Sequence, residues 1–155
     1  MFLSFYESSV DVKKRVSIPA SFRKALEGED SVFLWPSLDK PCLEGGGLKL
    51  VHRFQRAISR LKPLDPRRSA LEMAIFGQGR FAKFDEGGRI VLEAEHITHA
   101  RIEDKARFVG LGGRFQIWAP AAHQALMDDM RKLALESVNL LEAVDEGDDR
   151  PMAAE

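Results

Sequence analysis

Asp11-Val-Lys-Lys-Arg15-Val-Ser-Ile18 returns further along the chain as Asp85-Glu-Gly-Gly-Arg89-Ile-Val-Leu92. The offset is the same for the acid (85 − 11 = 74) and for the arginine (89 − 15 = 74). Each copy reads Asp-x-x-x-Arg, then apolar-x-apolar. A short amphipathic segment follows each, Ala20–Leu26 and Ala94–Ala100, and then an apolar, β-rich stretch: Ser31–Trp35 in the first half, Arg107–Leu111 with Arg114–Trp118 in the second. Self-similarity at a fixed period marks a repeated structural unit. In a chain of 155 residues it implies two units of about half the length each.

Outward from the repeat, periodicity predicts an α+β chain. Val16–Ile18 reads as a strand that ends at Pro19, which is tolerated in the first turn of a helix. Phe81–Phe84 and Arg89–Leu92 read as strands joined through Asp85–Gly88, with Gly87 and Gly88 supplying the positive φ of a tight hairpin. Leu48, Val51, Phe54, Ile58 and Leu61 form a helical stripe. Pro63 and Pro66 punctuate it before a second helix over Arg67–Phe76. A long helix is predicted over 121–144, with Leu126, Met130, Leu133 and Leu141 on one face. Residues 145–155 are acidic and expected to be disordered.

The formal net charge is -1, but its distribution is uneven. Residues 1–90 carry 16 Lys/Arg against 11 Asp/Glu, and residues 91–155 carry 7 against 13, so +5 and −6 sum to -1. A basic part joined to an acidic part fits a polyanion-binding face beside a solvated or oligomer-forming region, and equally an ordinary uneven surface. The single cysteine, Cys42, excludes an intramolecular disulfide and reads as a small buried apolar residue. The first residues have neither the basic nor the long apolar segment of a signal peptide, and no apolar run spans a bilayer. A soluble, cytoplasmic protein is expected.

The repeat carries a family likeness. Met1-Phe2, Asp11-x-Lys-x-Arg15-Val-Ser-Ile-Pro19, Leu38-Asp-Lys-Pro-Cys-Leu43, Gly77, Asp85-x-x-Gly-Arg89-Ile and Val109-Gly-Leu-Gly-Gly-Arg-Phe-Gln-Ile-Trp118 stand in the order and spacing of MraZ proteins. The chain resembles that family over roughly residues 1–145. The resemblance implies two tandem AbrB/SpoVT-like swapped-hairpin β units that intertwine as a pseudo-dimeric β-barrel, with peripheral helices and a long C-terminal helix. The divisions it suggests are 2–50 and 79–120 for the two units, 51–78 for a helical connection, 121–144 for the last helix and 145–155 for the tail. It also implies ring-like homo-oligomers, nucleoid association, and binding to direct repeats in the promoter of the cell-division and cell-wall gene cluster, usually as a repressor. By position, the family's DNA-contact arginines are Arg15 and Arg89. Lys14 stands where the family usually has glycine, which predicts a first turn of altered shape, because an L-residue at positive φ costs about 1 kcal/mol. Glu93 stands where the first copy has Pro19.

The motif has chemistry suited to that role. Affinity for DNA comes from neutralising phosphates and specificity from reaching base edges. A hairpin corner fits the major groove, and an arginine fork can donate bidentately to guanine O6 and N7. Asp11 and Asp85 can hold turn amides or orient the guanidinium. Lys13 and Lys14 add phosphate contacts beside Arg15, whereas Arg89 has no lysines beside it. One Asp-x-x-x-Arg alone is no more than a surface ion pair of small value; two copies at this spacing favour DNA. Arg53, Arg56, Arg60, Lys62, Arg67 and Arg68 read as a solvated helix face. Trp35 and Trp118 read as core or interface. Met127 and Met130 read as packing residues, against the barrel or a neighbouring protomer.

Candidate catalytic or metal sites are weak. His96 and His99 with Glu93 would need one face, but Glu93 and His99 are about 600° apart on a helix. The other histidines are His52 and His123, and Cys42 has no histidine near it in sequence. Gly45-Gly-Gly47 and Gly110-Leu-Gly-Gly113 lack the spacing of a phosphate-binding loop and read as turns. No enzyme activity, cofactor, metal, membrane or small-molecule substrate is expected. The competing readings are a swapped-hairpin antitoxin that binds its own promoter and a toxin, and a protein-interaction module with no DNA role.

Overall fold

The structure is a computed structural model that describes residues 1–142; the expected acidic tail lies outside the described residues. The chain forms two compact units, Met1–Pro120 and a C-terminal unit that begins at Ala121. It is α+β with antiparallel strands throughout the first unit.

Six strands make one sheet: β1 (Phe5–Ser9), β3 (Ser31–Pro36), β4 (Leu43–Gly46), β5 (Arg80–Lys83), β7 (Lys105–Gly110) and β8 (Phe115–Trp118). Their spatial order is β1-β7-β8-β4-β3-β5. Two more strands, β2 (Arg15–Ser17) and β6 (Arg89–Val91), pair with each other in a separate two-stranded ladder, and Val16 of β2 also bridges Val10. The expected barrel does not close. Among the described residues β1 is paired as a strand only with β7 and β5 only with β3, so both ends of the sheet are open edges. The physical reason is that the chain leaving each edge strand turns through its Asp-x-x-x-Arg loop into the separate β2–β6 ladder, instead of continuing the sheet. For the same reason β5 and β6 do not form a simple hairpin with each other.

A shift of one repeat exchanges β1 with β5, β3 with β7 and β4 with β8, and the strand order then reads the same from the opposite end. Three of the five strand pairings in the sheet, and the whole β2–β6 ladder, join one half of the sequence to the other.

Strand β3 is buried on both faces, so it reads as an unbroken apolar run. Successive side chains point to opposite faces. Val32 and Leu34 enter one core with Val16, Ile18, Ile90 and Leu92 of the ladder segments and Phe22 of helix α1 (Ala20–Ala25). Ala100, at the end of helix α4 (Ala94–Ala100), joins that core. Phe33 and Trp35 enter a second core with Leu50 and Ile58 of helix α2 (Leu48–Ser59) and with Ile75. The ladder and helix α2 therefore cover opposite faces of the sheet.

Two expectations of secondary structure are corrected. Gly45 and Gly46 are not a turn; they lie in β4, paired to β3 and, through Gly45, to β8. A Cβ on Gly45 would sit 2.6 Å from the Phe115 ring and 2.9 Å from Leu34 Cδ2. The glycine lets the ring lie flat on the strand, the close approach that a strand glycine allows. The helix expected over Arg67–Phe76 begins one residue earlier as α3 (Pro66–Leu71) and widens into a π-helical turn over Glu72–Gly77. Asp65 caps it by accepting from the Arg67 N–H at 2.9 Å.

In the C-terminal unit the helix expected over 121–144 is divided into α5 (Pro120–Glu136) and α6 (Asn139–Glu142). The Ser137 hydroxyl donates back to the Leu133 carbonyl at 2.7 Å, a bond that competes with the helical ladder at the break. Met127 and Met130, expected to pack against the barrel or a neighbouring protomer, are exposed in the single chain. No helix among the described residues is long and apolar enough to cross a membrane.

Candidate nucleic-acid interface

The two Asp-x-x-x-Arg segments fold into the same closed loop. In the first, the Lys14 N–H donates to the Asp11 carbonyl at 3.0 Å and the Asp11 N–H to the Arg15 carbonyl at 3.1 Å. In the second, the Gly88 N–H donates to the Asp85 carbonyl at 3.0 Å and the Asp85 N–H to the Arg89 carbonyl at 2.8 Å. A turn followed by one residue at positive φ is a standard three-residue hairpin loop. Gly88 takes φ 75° there and Lys14 takes φ 64°. The altered first turn expected from Lys14 does not occur, because the lysine adopts the left-handed conformation of the glycine.

The aspartates make this possible. Asp11 Oδ1 accepts from the backbone N–H groups of Lys13 at 3.0 Å and Arg15 at 2.9 Å. Asp11 Oδ2 accepts from Arg15 Nε at 2.7 Å. Asp85 repeats the set, with Gly87 and Arg89 N–H both at 2.9 Å on Oδ1 and Arg89 Nε at 2.9 Å on Oδ2. The backbone N–H of Arg15, above all, holds the Asp11 carboxyl below the usual carboxylate range, and that of Arg89 does the same for Asp85.

The ladder then fixes where the arginines stand. Arg15 pairs with Val91 and Ser17 with Arg89, while Val16 and Ile90 between them point into the core. Side chains alternate along a strand, so Arg15, Ser17, Arg89 and Val91 share the outward face. Two residues of strand and one strand spacing separate the arginine Cα atoms, about 7 Å along and about 5 Å across. Each guanidinium is tied to its aspartate through Nε. Its two terminal nitrogens have no hydrogen-bond partner among the described residues, and its side chain is about one-third exposed (33% for Arg15, 39% for Arg89). Lys13 and Lys14 are exposed beside Arg15.

Arg23 of α1, to which sequence reading attaches no role, lies across Gly88. A Cβ on Gly88 would fall 2.7 Å from Arg23 Cζ and 2.9 Å from Nε. Arg89 has no lysines beside it in the sequence, and the arginine that lies near its loop comes from the other half of the chain. Its signal in the sequence is a mismatch, since the residue one repeat after Arg23 is Ile97 while the residue one repeat before Gly88 is Lys14.

The remaining candidates are dispersed. Arg53, Arg56 and Arg60 belong to the α2 layer or its end, on the sheet face opposite the ladder. Arg67 is bound to Asp65 at 2.7 Å, and Arg68 donates to the Leu61 carbonyl at 3.1 Å. His96 meets the Gln78 carbonyl at 2.8 Å and His99 the Lys40 carbonyl at 3.1 Å, so their Nε2 atoms are engaged by separate partners. Cys42 is fully buried, and burial pushes its thiol up to about 12. Trp35 and Trp118 are buried.

A family model described as "MraZ protein, putative antitoxin-like" matches residues 75–139. The chain is 40% identical to the transcriptional regulator MraZ of Caulobacter vibrioides over 144 residues, 92% of each chain. The chain belongs to the MraZ family. It is also 40% identical over 144 residues to the MraZ regulator of Phenylobacterium zucineum, covering 92% of this chain and 90% of that one. To that of Rickettsia canadensis it is 37% identical over 138 residues, 88% of this chain and 93% of the other. The matches cover most of the chain, and the family model spans the Asp85–Arg89 loop.

Proposed function

We propose that this MraZ family chain regulates transcription by binding double-stranded DNA at promoter direct repeats, with Arg15 and Arg89 as base readers. The observation that carries the reading is the paired loops. Two arginines leave one face of a narrow two-stranded ladder, each held side-on by an aspartate through Nε, each with its terminal N–H donors free. A bidentate contact to guanine needs a fork held in that way. A two-stranded ribbon is the right width for the major groove. Lys13 and Lys14 supply phosphate contacts that position without specifying. Asp11, Asp85, Gly87 and Gly88 form the supporting loops.

The crossed pairing of the halves supports a tandem swapped-hairpin arrangement. Two arginines, each worth about 1–3 kcal/mol of discrimination, are too few to select one promoter, so a homo-oligomer, ring-like as the family likeness implies, engages several repeats at once. On the same likeness the target is the cell-division and cell-wall gene cluster, the effect repression, and the place the cytoplasmic nucleoid.

Arg15→Ala tests the reading. Binding to the gene's own upstream region, followed by fluorescence anisotropy, is expected to fall by more than about 100-fold with melting temperature and oligomer size unchanged. Wild-type affinity in the folded variant overturns it. The antitoxin-like description of the family model favours a second reading, promoter binding together with a toxin; co-purification of a small partner protein distinguishes it.

A further inference from the structure

We infer that Val91 reads the C5-methyl group of a thymine beside the guanine read by Arg15, so that the two loops recognise different base steps. The inference rests on the DNA reading above and adds an uncharged, sequence-reading residue to it.

The outward face of the ladder holds four side chains, Arg15 and Ser17 on β2 and Arg89 and Val91 on β6. A shift of one repeat exchanges Arg15 with Arg89 and also Ser17 with Val91 (91 − 17 = 74). The arginines therefore keep the likeness of the two halves, and Ser17 and Val91 break it. The register decides which reader has which neighbour. Arg15 lies directly across from Val91, and Arg89 directly across from Ser17. Side chains paired in this way have Cβ atoms about 5 Å apart, and successive nucleotides of one strand are about 3.4 Å apart along the duplex. With Arg15 on a guanine, Val91 thus reaches a neighbouring base pair along the groove.

The two neighbours have different chemistry. Val91 is 56% exposed and its side chain has no polar atom. A lone exposed valine is ordinary on a protein surface; this one shares a face with two guanidinium forks whose terminal nitrogens are free. In the major groove the thymine methyl is the apolar group that a base edge presents, and an apolar side chain reads it by covering it. Cytosine at the same place offers an amino donor, for which Val91 has no acceptor, so the amino group loses water without gaining a partner. Ser17 is exposed, and its hydroxyl has no hydrogen-bond partner among the described residues. A hydroxyl both donates and accepts, so it accommodates any base edge beside the guanine of Arg89. A reading face with full two-fold likeness could not tell the two directions of a repeat apart. Val91 against Ser17 supplies the difference.

Exchange of thymine for uracil in a promoter fragment tests this, because deoxyuridine keeps the base pair and lacks only the methyl group. Each thymine of one repeat is replaced in turn and affinity is followed by fluorescence anisotropy. In the wild-type protein one thymine position is expected to show a loss of about fourfold on replacement, the scale of burying a single methyl group. Val91→Ser, which copies the neighbour of Arg89, is expected to bind the unmodified fragment more weakly by at least that factor and to bind thymine and uracil alike at that position. Val91→Thr keeps a methyl group and should keep the distinction. Arg15→Ala is the control on the underlying reading. Loss of binding by Arg15→Ala with no methyl-sensitive thymine in the wild type overturns the role of Val91 alone. A methyl effect that persists unchanged in Val91→Ser also overturns it, because another group then reads the thymine. Wild-type affinity in Arg15→Ala overturns the DNA reading, and Val91 with it. Melting temperature and oligomer size confirm that each variant is folded, and Val91→Asn replaces Val91→Ser if that protein does not fold.

Discussion

The Asp11–Arg15 and Asp85–Arg89 loops make the same hydrogen bonds with different residues between their ends. In the second, glycine occupies the left-handed position, where it costs nothing in steric terms. In the first, Lys14 occupies it, and three hydrogen bonds to the Asp11 carboxylate hold the loop in shape around the strained residue. The comparison teaches that the loop is defined by its aspartate and closing pair, while the left-handed position is free to vary with whatever packs over it. At Gly88 a Cβ would have to displace the end of the Arg23 side chain; at the first loop Lys14 is accommodated at φ 64°.

The sharpest way to break the comparison is to remove the arginines one at a time. If the loops are equivalent, Arg89→Ala should reduce promoter affinity by more than about 100-fold, as Arg15→Ala does, and relax preference at a different base position. A tenfold or smaller loss from Arg89→Ala in a binding titration would make the first loop the dominant reader. Next in size is Gly88→Ala, which combines positive φ with a clash against Arg23; it is expected to destabilise the protein by about 2 kcal/mol in denaturant melts. A neutral result would show that the arginine swings aside freely. Lys14→Gly should do the reverse and stabilise by up to about 1 kcal/mol by relieving strain. It should also flatten the salt slope by about 0.9 while leaving the preferred sequence unchanged.

The smallest expected effect is on pH dependence. Both carboxyls are held below their ordinary range by the backbone N–H groups they accept. A carboxyl whose folded value is depressed contributes stability that is complete above its unfolded value and is lost as pH falls through the folded one. The stability difference between wild type and Asp85→Asn should therefore be constant near neutrality and shrink below about pH 3.9, the unfolded aspartate value. A difference that grew in acid would contradict the assigned direction.

Much of the fold and of the candidate site is legible in the sequence. The two loops, strand residues Val16 and Ile90 pointing inward, the amphipathic α1 and α4, and the buried β3 all follow from short-range pattern. Gly45 and Gly46 mislead, because three consecutive glycines resemble a turn until a ring such as that of Phe115 is seen to lie on them. The closed barrel comes from the family likeness and not from residue pattern, since alternation shows that a strand has a buried face without naming its neighbour. The seat of Arg23 on Gly88 is hinted at only by the exchange of Lys14 for Gly88 and Ile97 for Arg23.

By itself the sequence determined the repeat, its period, and the closed Asp-x-x-x-Arg loop, because every hydrogen bond that makes the loop lies within five consecutive residues. Tertiary structure alone decided which strands meet. The halves cross, β1 with β7 and β3 with β5, so residues more than 40 positions apart share a ladder and arginines 74 positions apart share a face. Those partners are chosen by the burial of two apolar faces at once. Burial is non-directional and long-range along the chain, and no local pattern encodes it.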